Sequence, residues 1–409
     1  MSKVVIFGGA GGIGAVASKT VSATDDFDEV VIADLRGELA ADVAQSLDHP
    51  NARGVSVDAT SHESLLEAMG QATVVCNCIG PFYRFGEPIL RAAIEAGVNY
   101  VDVCDDLDAT EKQLELDEAA KKSGICAVVG LGNSPGLANL LAKFGSDELL
   151  DECHSVDIMH IHGGEPEEGP AVIKHRIHAM VNDVPLFIDS KFETVRLLED
   201  SGQRYVEEVE FRDVGTYPVY PYPHPETITL PKYLKGLTRA TNRGVVFPIS
   251  YFNYTMEIVR EGLAKLDSST PKSEYPIDDW VDKILSKREE FLSEAGIEGP
   301  KGCLKIVLGG LKDGEVHKFV FSVSSSADGA GAGTGIPAGL GAILLARGKI
   351  SGRGVFPPEG VVSPIEALAL ASELLPKLKF GGSSGSVDFP LHVEHILPSG
   401  YSEEIPLGF

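Results

Sequence analysis

No run of about 18 consecutive apolar residues occurs in the 409-residue chain, so no segment reads as a membrane-spanning helix. Nor does the start read as a secretory leader: Lys3 supplies a charge, but Val4 to Phe7 is too short for an h-region and runs straight into glycines. A cytoplasmic location is expected. Cations are scarce as well, with 35 Lys+Arg against 60 Asp+Glu and a net charge of −25. That balance argues against nucleic acid and anionic membrane as partners, since both need clustered basic surface. It does not exclude an anionic cofactor, because a helix N-terminus supplies local positive potential.

Three chemical signatures are also missing. Cys76 and Cys78 would share one face of a strand, but no second cysteine pair stands at zinc-site spacing, so they read as buried thiols of a reducing compartment. Among the 11 histidines, His160 and His162 share a strand face, and His175 and His178 share a helix face. No H-E-x-x-H accompanies them, and no metal is expected. No tyrosine has a lysine four positions on (Glu87 follows Tyr83 and Leu237 follows Tyr233), which weighs against an alcohol/ketone oxidoreductase of the short-chain type. Internal repeats are absent.

What is present is an ordinary globular balance, 43% hydrophobic and 23% charged, at a length that suggests two or three domains. Up to residue 130, strand-like runs (Lys3–Phe7, Glu29–Asp34, Ala52–Asp58, Thr73–Ile79, Tyr100–Val103, Cys126–Val129) alternate with alanine-rich helical stretches (Gly14–Ala23, Ala40–Leu47, Ser61–Met69, Pro88–Ala96, Ala109–Ser123). Such alternation predicts an α/β fold, a doubly wound parallel Rossmann sheet over residues 1–149. A second, α+β domain is expected over 150–326. It contains a strand at His154–His162, a helix at Val172–Val181 and a hairpin of Gly302–Leu308 with Glu315–Ser324 about Asp313-Gly314. The prolines of Tyr217–Pro231 argue against a regular helix or central strand there. Residues 327–409 read as a glycine-rich stretch, Gly329–Gly335, then a helix Ile336–Ala346 and a helix Pro364–Leu375 capped by Ser363, returning to the first domain.

The most informative segment is VVIFGGAGGIG, residues 4–14, where Gly9, Gly11 and Gly14 stand in G-x-G-x-x-G spacing between a strand and a helix. The first glycine permits the tight turn, the second admits a pyrophosphate, and the third lets helix and strand approach. The N–H groups of Gly12 and Ile13 would complete the phosphate site. Twenty residues after Gly14, the second strand ends in Asp34, placed to accept hydrogen bonds from an adenosine ribose and to repel a 2′-phosphate. NAD is therefore expected; NADP stays open because Arg36 is at hand to pair a 2′-phosphate. Asp58, ending the third strand, either reaches the adenine or caps the next turn.

Residues 78–106, CIGPFYRFGEPILRAAIEAGVNYVDVCDD, followed by GLGNSPGLANLLA at 130–142, YPYPHPETITLP at 220–231 and the TGIPAGLGAILLARGKI…GVFPPE stretch at 334–359, resemble the saccharopine dehydrogenase-like oxidoreductases. The resemblance implies an NAD(P)-dependent enzyme of the saccharopine reductase or lysine dehydrogenase type. Such an enzyme moves hydride to or from the C–N bond of an amino acid or imine conjugate. It also implies a Rossmann domain, an inserted domain carrying a homodimer contact, and a small amino-acid-like substrate. A non-catalytic NAD(P)-responsive protein is the alternative from another class.

In that frame Gly80 and Pro81 would form the loop beside the nicotinamide, with Phe82 or Tyr83 as a pocket wall. Asp102, Asp105 and Asp106 crowd the end of the fifth strand, and Asp106 is the more exposed candidate acid/base if Asp102 lies inside the strand; helix capping is the alternative. Asn133, Ser134 and Gly136 open a helix whose N–H groups suit a carboxylate, and Lys174, His175 and Arg176 are either a carboxylate anchor or a solvated face. His224, in a proline-stiffened loop, suits proton transfer or a structural place.

Overall fold

The computed structural model describes residues 2–165, 168–267, 269–297, 299–325, 329–378 and 391–407. Its first sheet has seven strands, in the spatial order Gly354–Phe356, Cys126–Val128, Asn99–Asp102, Val74–Asn77, Lys3–Phe7, Glu29–Asp34, Ala52–Ser56. Every pairing is parallel. Helices cover both faces, which is why Val4 through Phe7 are apolar without alternation and all completely buried. The chain reverses its direction of travel across the sheet at Lys3–Phe7, between Glu29–Asp34 and Val74–Asn77, leaving the crevice at the strand ends where such sheets bind ligands. The expected Rossmann architecture is present.

Some boundaries move. The helix expected from Pro88 begins at Phe82, with Pro81 at its N-cap and Pro88 inside it. The expected Ala109–Ser123 helix is two, Leu107–Leu114 and Asp117–Ser123. Capping by Ser61, whose hydroxyl accepts from the Ser64 N–H, fixes the start of His62–Met69, a device worth about 1 kcal/mol.

The second sheet has ten strands. Its centre is Glu152–Gly163, paired parallel to Arg239–Phe247 on one side and antiparallel to Lys301–Lys312 on the other. Lys301–Lys312 and Glu315–Ser325 form the expected hairpin, with Asp313 and Gly314 both at positive φ, the backbone that a two-residue turn needs. One face carries the helices Pro170–Val181, Ile249–Ala264 and Ile277–Glu294 through Ile173, Phe252 and Trp280. The other buries Ile158, Ile306 and Phe321 against Leu141 of the first domain and Leu230 and Leu368, so the two domains share an apolar core.

The proline-rich segment departs from expectation. Gly215–Pro221 is a strand, paired with Glu207–Phe211 over Gly215 to Val219 and with Arg239–Phe247 only at Tyr220 and Pro221. Pro218 thus sits where one side of the strand lacks a partner, so no ladder hydrogen bond is lost there. Glu226–Tyr233 is a short helix that takes Pro231 in its last turn.

The last third of the chain divides between the sheets. The helix Gly329–Ala346 runs through the glycines and past Pro337 instead of starting there. Gly335 and Gly339 let it lie against the helix Gly12–Ser22: a Cβ on Gly335 would stand 2.5 Å from the Ile13 carbonyl oxygen, and one on Gly339 2.6 Å from Thr20 Cβ. Propensity would end a helix at such residues; close packing onto the cofactor-domain helix retains it. Gly354–Phe356 and Pro364–Leu374 also join the first domain, the latter capped by Ser363. Leu391–Ile396 does not: it pairs with Glu315–Ser325 in the second sheet, which corrects a return of all of 327–409 to the first domain.

Candidate functional site

The turn after Lys3–Phe7 is built for close approach. A Cβ on Gly9 would meet Ile32 Cγ2 at 2.6 Å, and one on Gly14 would stand 2.2 Å from the Gly8 carbonyl oxygen. Gly11 takes the N-cap of the helix Gly12–Ser22, while Gly12 has no neighbour within 4 Å of its Cβ position and opens outward. The helix dipole and the N–H groups of its first turn point into the space above. Asp34 is nearly buried: one oxygen accepts from the Ala10 N–H (3.2 Å) and the other from the Arg36 N–H (3.1 Å) and Nε (3.2 Å). Arg36 therefore pairs with Asp34, with its side chain half in solvent. Asp58 lines the same space but spends Oδ1 on the Thr60 N–H and hydroxyl, the turn-capping arrangement, and these bonds hold its carboxyl below the usual range.

These groups line one cavity of about 1110 Å³, somewhat above the roughly 300–1,000 Å³ of ordinary small-molecule clefts. Its floor is the glycine turn and Gly80; its far wall is the second domain, through His162, Glu165 and Glu168. Phe82 is no pocket wall. It is buried in the first-domain core; the aromatic that lines the cavity is Phe85, while Tyr83 stacks its ring on His178 of the second domain at 4.3 Å.

Beyond the end of the fifth strand lies a dense polar cluster. Asp102 is entirely buried, its carboxylate taking the Gly130 and Cys104 N–H groups, Tyr100 OH and Gln113 Nε2, a structural knot. Asp106 is not the more exposed partner: it is 2% accessible, whereas Asp105 keeps 35% of its side chain in solvent. Asp106 holds the backbone N-cap position of Leu107–Leu114 but caps a different helix, accepting the Tyr83 N–H at 2.9 Å. Its other oxygen meets His175 Nδ1 at 2.8 Å, and His175 Nε2 lies 3.5 Å from Asp105. The two carboxylates raise the His175 imidazole to about 9; burial, partly offset by His175, raises Asp105 to about 6. Asp105, Asp106 and His175 offer ligand atoms within 4.8 Å of one another, an arrangement the mutual ion pairs account for.

His175 is thus no solvated residue, and neither is Arg176, which is 1% exposed and paired with Glu168; Lys174 pairs with the exposed Asp278. Glu168 also accepts from Tyr251 OH and Arg288 Nε. The helix start at Asn133–Gly136 is closed to an anion in the form expected: the Gly136 N–H is taken by Asn139 Oδ1, and those of Leu137 and Ala138 by the carbonyls of Gly132 and Asn133.

His224 is 4% exposed, its ring stacked on His160 at 5.0 Å and edge-on to Tyr222. Burial and the neighbouring histidines push its imidazole well below the usual range and His160 to about 3. That direction runs against the near-neutral imidazole expected of His224. Ser134 and Asn242 meet beside it on Glu226. Sequence reasoning missed Glu226 and Asn242. Glu226 stood in the quoted Y-P-H-P-E run, but Asn242 lies on a strand without a motif.

Residues 4–128 match the family model of the saccharopine dehydrogenase NADP binding domain. Across most of its length the chain is similar to the carboxyaminopropylagmatine dehydrogenase of Synechocystis sp., 23% identical over 376 residues covering 87% of this chain and 92% of that protein. It is similar also to the carboxynorspermidine synthase of Vibrio alginolyticus, 24% identical over 386 residues covering 85% and 90%. In fold it resembles the saccharopine dehydrogenase (L-Glu forming) of Saccharomyces cerevisiae, with a TM-score of 0.67 at 16% identity over 97% of this chain and 100% of that one. The resemblance read from the motifs is borne out, and the first domain is an NAD(P)-binding domain of the saccharopine dehydrogenase type.

Proposed function

We propose that this NAD(P)-dependent oxidoreductase of the saccharopine dehydrogenase type transfers hydride to or from the C–N bond of an amino acid or imine conjugate, with NAD preferred. The observation that carries the reading is the placement of the Asp105–His175–Asp106 cluster at the end of a strand of the sheet whose glycine turn and Asp34 line the cofactor cavity. Ligands of such sheets lie at those strand ends. A carboxylate partly open to solvent beside a held imidazolium suits an amine: Asp105 receives a substrate ammonium, and the Asp105–His175 pair exchanges its proton as imine and amine interconvert. The nicotinamide, when bound, supplies the hydride chemistry. The protein's share is orientation, by Gly80 and Pro81 below and Tyr83 at the domain boundary, with Asp106 holding both Tyr83 and His175 in place.

The preference for NAD is supported by Asp34, which presents a carboxylate to the ribose position and engages the nearest arginine. The two relatives named above, whose names describe work on carboxylated amines, support a small amino-acid-like substrate. A homodimer follows from the family resemblance, and a cytoplasmic site of action is in keeping with six free cysteines. The test is NAD(P)H formation and consumption across a panel of amino acids, diamines and 2-oxo acids. Turnover with amine or imine substrates is expected; cofactor binding with no turnover on any of them would favour a non-catalytic NAD(P)-responsive protein.

A further inference from the structure

We propose that Glu226 is a positioning residue that stands protonated against His224 and fixes that ring as a neutral imidazole with its proton on Nε2. The role of the ring in turnover rests on the oxidoreductase reading above; the arrangement of protons rests on geometry alone.

Glu226 is completely buried, and its two oxygens are treated differently. Oε1 accepts from Ser134 Oγ of the first domain and from Asn242 Nδ2 at 3.2 Å. Oε2 is buried without a hydrogen-bond partner, with His224 Nδ1 3.8 Å away. A bare carboxylate oxygen in such surroundings is costly, and a carboxylic acid costs less; the nearest acceptor for its proton, His224 Nδ1 at 3.8 Å, lies beyond hydrogen-bond distance and would have to close on it. Among the described residues no lysine or arginine pairs with the group. The charged and titratable groups facing it are His224 on its own segment, Glu359 from the C-terminal third, Asp105 from the fifth-strand end, and His160 through Asn242. Two are carboxyls, which disfavour a further negative charge, and the two imidazoles are held neutral. In keeping with this, burial raises Glu226 to about 7.

The polarity of the network then follows. His160 Nε2 lies 3.0 Å from Asn242 Oδ1, and an amide oxygen only accepts, so the His160 proton is on Nε2. The Asn242 amide nitrogen faces the other way, 3.2 Å from Glu226 Oε1, 3.2 Å from Ser134 Oγ and 3.4 Å from His224 Nδ1. Ser134 Oγ is also 3.4 Å from His224 Nδ1 but gives its one proton to Glu226. His224 Nδ1 thus faces the Asn242 amide N–H at 3.4 Å and presents a lone pair to it, while Ser134 Oγ has spent its proton on Glu226; the ring's proton lies on Nε2. Stacked on His160 and 6.0 Å from the His175 ring, His224 then carries a single N–H, on Nε2, without placing a second charge beside the His175 imidazolium.

Nitrogen-15 NMR of the full chain with labelled histidine, assigned by the signal lost in His224→Gln, reads the tautomer directly. The expected spectrum near neutral pH shows His224 neutral with Nε2 protonated. Glu226→Gln, whose amide donates in place of the acid, retains that tautomer, and Glu226→Ala mixes the two. An Nδ1–H tautomer or an imidazolium in the unmodified protein would overturn the proposal, even if Glu226→Ala fails to fold. So would a Glu226→Ala spectrum unchanged from the parent. With an active substrate in hand, kcat/KM of the parent should fall as pH rises through about 7, a limb that Glu226→Gln lacks. Glu226→Ala should lose about tenfold or more at every pH. The same limb in Glu226→Gln as in the parent would count against the proposal. Should no amine substrate be found, the function reading fails while the NMR result still decides this one.

Discussion

His175 Nδ1 lies 2.8 Å from Asp106 Oδ1, so a histidine of the second domain closes a buried ion pair with the carboxylate that opens a helix of the first. The same carboxylate fastens the start of a second helix through the Tyr83 N–H. One acidic residue therefore joins two first-domain helices and the domain opposite.

The pair makes stability depend on pH in a definite direction. His175 is raised from 6.5 to about 9, so its contribution is fully present below 6.5 and is lost as pH rises through about 9. Within that window each pH unit removes on the order of 1.4 kcal/mol of the clamp's stabilisation. Urea midpoints measured across this range should fall with rising pH. His175→Gln should flatten that dependence and lower stability by about 3 kcal/mol, because Asp106 is left buried without its cation. A parent protein whose midpoint is level from neutral to pH 9 would refute the clamp.

Asp34→Ala separates the two cofactors. Loss of a charged acceptor for ribose hydroxyls should weaken NAD by about 10- to 100-fold, while NADP is weakened less or binds better once Arg36 is released from its 3.2 Å contact. Titration calorimetry or fluorescence with both cofactors checks this. Equal losses would remove the ribose role.

Glycines of one turn should differ sharply. Gly14→Ala drives a Cβ to 2.2 Å from the Gly8 carbonyl oxygen and should abolish cofactor binding, with a stability loss of about 1–3 kcal/mol. Gly12→Ala meets nothing within 4 Å, so thermal unfolding of the free protein should move by no more than about 0.5 kcal/mol. Cofactor affinity should still fall, since Gly12 lines the cavity. Similar unfolding of both variants would contradict the packing described.

Gly335→Val tests the C-terminal return. Its side chain would enter the space held by Ile13 and Val16, the helix carrying the phosphate turn. Destabilisation of about 1–3 kcal/mol is expected, together with weaker cofactor binding, although residue 335 is far from the turn in sequence. Unchanged affinity alongside clear destabilisation would show that the two helices are not coupled.

Where a local rule and the tertiary structure agreed, the elements were readable. The strands Lys3–Phe7 and Glu29–Asp34, the Asp313-Gly314 hairpin and the Ser363 cap each carry their signal within a few residues. Misreadings fell where packing overrode local preference. Gly329–Ala346 is helical because its glycines permit close contact with a neighbouring helix, and Pro218 is tolerated in a strand because the partner on one side is absent there. The carboxylates Asp102, Asp105 and Asp106 were recognisable as a group, but which of them faced solvent was not: alternation along a strand says which face a residue takes, not what covers it.

The sequence by itself determined the cofactor class, because a phosphate turn and its acidic ribose partner are contiguous chemistry, held within the first 34 residues. It also marked the resemblance to the saccharopine dehydrogenase-like oxidoreductases, through motifs spread from residue 78 to residue 359. Only the tertiary structure decided what the second domain brings against the end of the fifth strand. His175, His224, Glu226 and Asn242 come from separate elements of the second domain and meet Asp105, Asp106 and Ser134 of the first across the cleft. Their protonation states follow from that meeting, since burial and neighbouring charge are properties of an assembled site and leave no trace in the order of residues.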